Sequence, residues 1–212
     1  MSNLFLSILI AIAANLDNFG VGIAYGVLKI KISHSANLII ALISFLATWL
    51  AAKVGEVISL YLSPKMAIII GALLLCGVGL WVISQPIITA YKMDQPIIDL
   101  QIFKTRIYVG PAEILRYPER IDLDNSRDIG YWEAVLLGIA LSINALAGGL
   151  YAGTAGISSL LQGSLVGMIS LFTIGIGCYF GKKYAAEQLG NYATIVSGTL
   201  LIVIGVHQLF NC

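Results

Sequence analysis

Apolar residues run through this chain in long unbroken stretches rather than alternating with polar ones. Six stretches, near 4–26, 36–58, 66–84, 132–153, 162–181 and 191–210, are each long enough to cross about 30 Å of hydrocarbon as a helix. Short connections join them, apart from one long polar segment at about 85–131. The pattern predicts an all-α polytopic membrane protein with six transmembrane helices. Glycine is frequent inside the stretches, as expected where helices pack closely in lipid. The first stretch is too long for a signal-peptide core and no Lys or Arg precedes it, so it reads as a retained membrane helix.

Composition sharpens this. The chain has 212 residues, 58% hydrophobic and only 11% charged, against about 25% charged in a soluble domain. The apolar surplus must face lipid, so the bilayer is the first expected partner. A net charge of +1 offers no basic surface for nucleic acid. Cys76, Cys178 and Cys212 suggest no disulfide framework. With six spans, the connections after helices 1, 3 and 5 share a side, which carries Lys29, Lys31, Lys92, Lys104, Arg106, Arg116, Arg120, Arg127, Lys182 and Lys183. The other side carries only Lys53 and Lys65. The basic side is expected to be cytoplasmic, with both termini outside the cell membrane.

A single ungapped shift of 127 residues relates the two halves. It places Gly22 on Gly149, Gly26 on Gly153, Phe45 on Phe172 and Gly71 on Gly198. It also places Asp17 on Asn144 and Asn15 on Ser142. Three spans per copy, an odd number, invert the second copy relative to the first. The expected organisation is a three-helix repeat at 1–84, a cytoplasmic loop at 85–131 and a second three-helix repeat at 132–212. Transporters built from inverted repeats place their sites near the midplane, between the copies.

Asp17 is the one acid deep within an apolar stretch. A charge there costs roughly 2.5–3.5 kcal/mol on insertion scales, and such residues usually mark ion or proton sites. A two-fold axis in the membrane plane would bring Asp17 and Asn144 to opposite sides of one site, with Asn15, Asn18 and Ser142 as further candidate metal ligands. Asn15 and Asn18 share a helix face, while Asp17 points about 160° away from Asn15. Unwinding near Gly20, Gly22 and Gly26 would alter that geometry and free backbone carbonyls. These oxygen donors suit Mg, Ca or Mn. A single carboxylate matches a monovalent cation or proton better in charge, and a purely structural hydrogen-bonding role is the alternative. Ser44, Thr48, Ser170 and Thr173 are secondary candidates to line a path, though such residues commonly bond back to their own helix.

The segment IDLDNSRDIGYWE carries a separate signal. With Asp122 as position 1, Asp124, Ser126, Asp128 and Glu133 fall at positions 3, 5, 7 and 12 of a calcium-loop spacing. Position 6 is Arg127, where such loops need Gly for a left-handed turn. The alternative is an acidic stretch favourable to the start of helix 4. Earlier in the loop, LQIFKTRIYVG alternates enough for a short strand pair or an interfacial segment.

NLDNFGVGIAYG in helix 1 and LLGIALSINALAGGL in helix 4 resemble the MntP-type manganese efflux pumps. ILRYPERIDLDNSRDIGYWEA is most similar to the sporulation-associated, YtaF-like branch of that family. The resemblance implies six membrane helices in two inverted repeats and export of Mn²⁺. It also implies an acid in helix 1, matched by Asp17, and one in helix 4, where Asn144 stands. For the branch, it implies a sporulation-associated membrane protein with no biochemical role assigned. The expectation is thus a gradient-driven exporter of a divalent cation. The alternative is a sporulation-associated protein working through its cytoplasmic loop. No Walker motif, Ser/His pair or zinc motif is visible, so neither an enzyme nor a tightly bound cofactor is expected. Mn²⁺ or Ca²⁺ enters as substrate or regulator.

Overall fold

The structure, a computed structural model, describes residues 3–62, 64–91, 100–102, 105–107, 121, 126–184, 195–196, 199, 201–204, 206–207 and 209–210. The helices are α1 (Asn3–Ala13), α2 (Leu16–Leu28), α3 (His34–Tyr61), α4 (Pro64–Tyr91), α5 (Tyr131–Thr154) and α6 (Ser159–Tyr184). Residues described between 195 and 210 are helical as well. Among the described residues, four spans are long and apolar enough to cross a membrane: Leu4–Leu28, which takes in α1 and α2, then His34–Tyr61, Tyr131–Thr154 and Ser159–Lys183. The α4 helix contributes a shorter apolar stretch, Ile69–Trp81. The molecule is therefore a mainly helical, multi-pass membrane protein. Two short strand pairs accompany the helices among the described residues. One is a hairpin of β2 (Leu100–Ile102) and β3 (Thr105–Ile107), one of the two forms expected of that segment. The other joins β1 (Lys31–Ile32) in parallel to β4 (Asp128–Ile129).

The sequence explains which helix faces meet. On α3, Leu38, Leu42, Leu46, Leu50, Val54 and Val57 form an exposed stripe, while Ala36, Ser44, Thr48, Ala52 and Gly55 are buried. Large residues face lipid and small ones let backbones approach. Gly22 and Gly26 of α2 lie against the α6 backbone at Ile174, Gly177, Cys178 and Gly181. Gly149 and Gly153 of α5 lie against the α3 backbone at Thr48 and Ala52. A Cβ at any of these four glycines would collide with main chain.

Two helix ends match across the chain. At the end of α2, Lys29 is left-handed (φ 58°), and Lys29 N and Ile30 N donate to Gly26 O and Tyr25 O. At the end of α5, Gly156 is left-handed (φ 74°), and Gly156 N and Ile157 N donate to Gly153 O and Ala152 O. Both are Schellman terminators, and their left-handed residues are separated by the same interval as Asp17 and Asn144. The β1–β4 pair holds the end of α2 beside the start of α5. Glu56 Oε1, near the end of α3, accepts from Ser159 N at the start of α6. In each of these two pairs the helices run in opposite directions.

Candidate metal site at the broken first span

The first span is interrupted at Ala14–Asn15, between α1 and α2. A continuous helix would pair Asn15 N–H with Ala11 O. Instead Asn15 Nδ2 takes Ala11 O at 2.8 Å, and the backbone N–H turns to Ile12 O at 3.1 Å. The side chain has displaced its own backbone from the ladder, a competition open to Asn. The break does not fall at Gly20, Gly22 or Gly26, where unwinding would have altered the geometry. All three stay helical in α2, and Gly22 and Gly26 serve close packing against the α6 backbone. The break joins the negative pole of α1 to the positive pole of α2. Asp17 lies in the first turn of α2, where that positive pole favours a carboxylate.

Asp17 is 3% exposed and Asn144 is 3% exposed. Asn144 Nδ2 donates to Asp17 Oδ2 at 2.8 Å, joining residues 127 apart in sequence. Asn18 N donates to Asp17 Oδ1 at 2.8 Å. Asn15 and Asn18 face the other way, towards α6. Asn18 Nδ2 donates to Asn15 Oδ1 at 2.8 Å and to Ser170 Oγ at 3.0 Å, and Asn15 Nδ2 reaches Val166 O at 3.1 Å. Asn18 Oδ1 is buried without a hydrogen-bond partner. The site therefore has two faces on one half-helix, one carrying the carboxylate and one the amides.

Ser142 does not join either face through a described hydrogen bond; its hydroxyl donates to Ile139 O one turn back. That bond leaves α5 continuous, whereas the longer amide of Asn15 breaks the first span. Thr48 and Thr173 likewise bond back, to Ser44 O and Ile169 O. Ser170 is the secondary candidate that enters the network. Sequence reading missed Ser7 and Gln162, both 0% exposed, which meet across the same α1–α6 interface. Their signal was a spacing of eight residues, about two helical turns, from the already named Asn15 and Ser170.

The oxygen donors of Asp17, Asn18 and Asn15 are of a kind that holds hard cations. No group of three or more His, Cys, Asp or Glu residues suited to a metal occurs among the described residues. A divalent ion on Asp17 alone would keep a net positive charge.

The loop before α5 is described only in part: Asp122 and Asp124 lie outside the described residues. Arg127 adopts the left-handed conformation (φ 60°) that a calcium loop needs at that position, despite its Cβ. Ser126 Oγ exchanges hydrogen bonds with Asp128 O and N. Glu133 Oε2 accepts from Gly130 N at 2.7 Å, capping α5. Each of these contacts is local, serving loop and helix start.

The family model described as "Putative manganese efflux pump" matches residues 2–83 and 115–209. The chain belongs to this family. A Bacillus subtilis (strain 168) protein named "Probable sporulation protein YtaF" is 31% identical over 207 residues, covering 95% of this chain and 97% of that protein. A "Putative manganese efflux pump MntP" of Bacillus cereus (strain ATCC 10987 / NRS 248) is 23% identical over 206 residues, covering 96% and 94%. A Stenotrophomonas maltophilia (strain K279a) protein of the same name is 29% identical over 89 residues, 42% of this chain and 46% of that protein. No solved structure matches significantly. The family is named for transport and is not an enzyme class.

Proposed function

We propose that this chain exports a divalent, manganese-like cation through a midplane site whose charged ligand is Asp17 and whose opposing ligand is Asn144. The observation that carries this is the buried Asp17–Asn144 hydrogen bond beside a broken membrane helix. Broken helices with their poles at the membrane centre are how many transporters build ion sites. The family match supports metal as cargo. Six spans in two inverted three-helix repeats are the architecture this reading requires. The opposed helix directions, the matched terminators at Lys29 and Gly156, and the paired glycine contacts favour it. The termini then lie outside and the 85–131 loop inside, and rocking of one repeat against the other alternates access. Transport is driven by an ion or proton gradient.

The test is manganese accumulation in cells that lack or overproduce the protein, with Asp17→Asn alongside. Overproduction should lower cell manganese and Asp17→Asn should abolish the effect. Efflux that survives the substitution would refute the role of Asp17.

A second reading takes the similarity to the sporulation protein and the neutral Asn144 as its starting points. Here the chain acts in spore formation through its cytoplasmic loop, whose end is pinned to the first span by β1–β4. Loop replacement would then abolish function while Asp17→Asn is tolerated.

A further inference from the structure

The contact between α1–α2 and α6 contains a line of buried polar groups that packing alone does not explain. From the N-terminal end inward it passes Ser7 and Gln162, then Asn15 against the Val166 carbonyl, then Asn18 against Ser170. Ser7 and Gln162 are each 0% exposed, and Asn18 is 1% exposed. Ser7 Oγ, Gln162 Oε1 and Asn18 Oδ1 have no hydrogen-bond partner. In a membrane interior an unpartnered polar atom costs several kcal/mol, and three along one seam mark a place where something else supplies the missing contacts.

The apolar filling of this seam is thin. Its buried cluster is Ala11, Ala14 and Val166 with Ala145 of α5, and Leu165 and Ile169 pack against it partly buried. The clusters elsewhere in the core hold bulkier residues, Tyr25, Leu137 and Leu141 in one and Tyr151, Leu75 and Leu201 in the other. Separating two surfaces costs in proportion to the apolar area exposed, and this cluster of small residues offers little of it. Its oxygens are neutral and suit a cation that still carries part of its water.

We propose that this seam is the path by which the cation passes between the Asp17 site and the face bearing the N-terminus, with Ser7 and Gln162 as a second oxygen station. The proposal rests on the transport reading for its cargo, while the seam itself is tested without transport. Asn18, next to Asp17 and bonded to it through its backbone N–H, is the inner end of the path. Gln162 lies eight residues before Ser170 on α6, about 12 Å along the helix.

The experiment uses the full chain with its three cysteines replaced by serine. Single cysteines are introduced by Ser7→Cys, Gln162→Cys and, as a control in the bulkier cluster, Ala152→Cys. A membrane-impermeant cationic methanethiosulfonate is the probe, with and without MnCl2. Ser7→Cys and Gln162→Cys should react at least about tenfold faster than the control, and manganese should change their rates. Reaction no faster than at Ala152→Cys overturns the path. In manganese-loaded vesicles Gln162→Leu, close in volume, should slow efflux about tenfold, because a cation loses a charge–dipole contact on its way. Unchanged efflux in Gln162→Leu also overturns it. If the unsubstituted chain moves no manganese, the transport reading falls, and thiol reactivity still decides the seam.

Discussion

Replacing Asn144 by Asp would set a second carboxylate against the first. The amide nitrogen removed lies 2.8 Å from Asp17 Oδ2. Two full charges at that separation repel by about 6 kcal/mol at an effective dielectric constant of about 20. Local relaxation and a shared proton recover much of this, so the metal-free Asn144→Asp protein should be less stable than the parent, but folded. A divalent cation between two carboxylates removes the repulsion and is itself neutralised. Recovering even half of the repulsion would tighten manganese binding about 100-fold, since each 1.4 kcal/mol is a factor of ten. Thermal unfolding of the purified full chain in detergent, with and without saturating MnCl2, reads this out. At about 2–4 °C per kcal/mol for a chain of this size, manganese should raise the Tm of the variant by about 5 °C or more beyond its effect on the parent. Equal manganese shifts in both proteins would show that Asn144 does not face the metal, and the two-sided site would be wrong.

Further outcomes follow from particular contacts. Gly26→Val would drive a side chain into the α6 backbone at Cys178 and Lys182, and should cost at least about 1–3 kcal/mol, seen as a lowered Tm. Gly77 has nothing within 4 Å of where a Cβ would lie, so Gly77→Ala in the same assay should hold or raise the Tm through helix propensity. Glu133→Ala removes the acceptor for Gly130 N. It should cost about 0.5–2 kcal/mol, as lost caps do, and speed amide hydrogen exchange at the start of α5. If the 122–133 loop binds calcium, titration calorimetry should show the heat lost on combining Asp122→Ala with Glu133→Ala; binding that persists would leave these carboxylates as helix-start residues only.

The sequence made four membrane-length spans and the Asp17–Asn144 pairing legible for one reason. Both depend on quantities that survive without coordinates, the length of an apolar stretch and a fixed interval between similar positions. The opposed faces of Asp17 and of the Asn15–Asn18 pair were legible from helical geometry as well. The helix break was not, because it depends on whether one amide reaches its own backbone before a tertiary partner claims it. The glycines fit both close packing and local unwinding in the sequence, and at positions 22 and 26 they are places of close approach. Those two roles look alike in a sequence and differ only in what stands opposite. The Ser7–Gln162 contact escaped for a related reason: each is an ordinary polar residue in its own helix, and the meaning lies in their meeting across 155 positions.

The pairing of early helices with late ones has a consequence for how the protein is made. Asp17 leaves the ribosome 127 residues ahead of Asn144. At about 5–20 residues per second, the carboxylate waits roughly 6–25 s before its hydrogen-bond donor has been translated. During that interval the glycine face of α2 has no α6 to meet, and the small-residue face of α3 has no α5. The nascent first half must therefore persist in the bilayer or the insertion machinery as loosely associated spans. Truncation between the halves should yield a product cleared by membrane proteases, and co-expression of the second half from a separate message should rescue it.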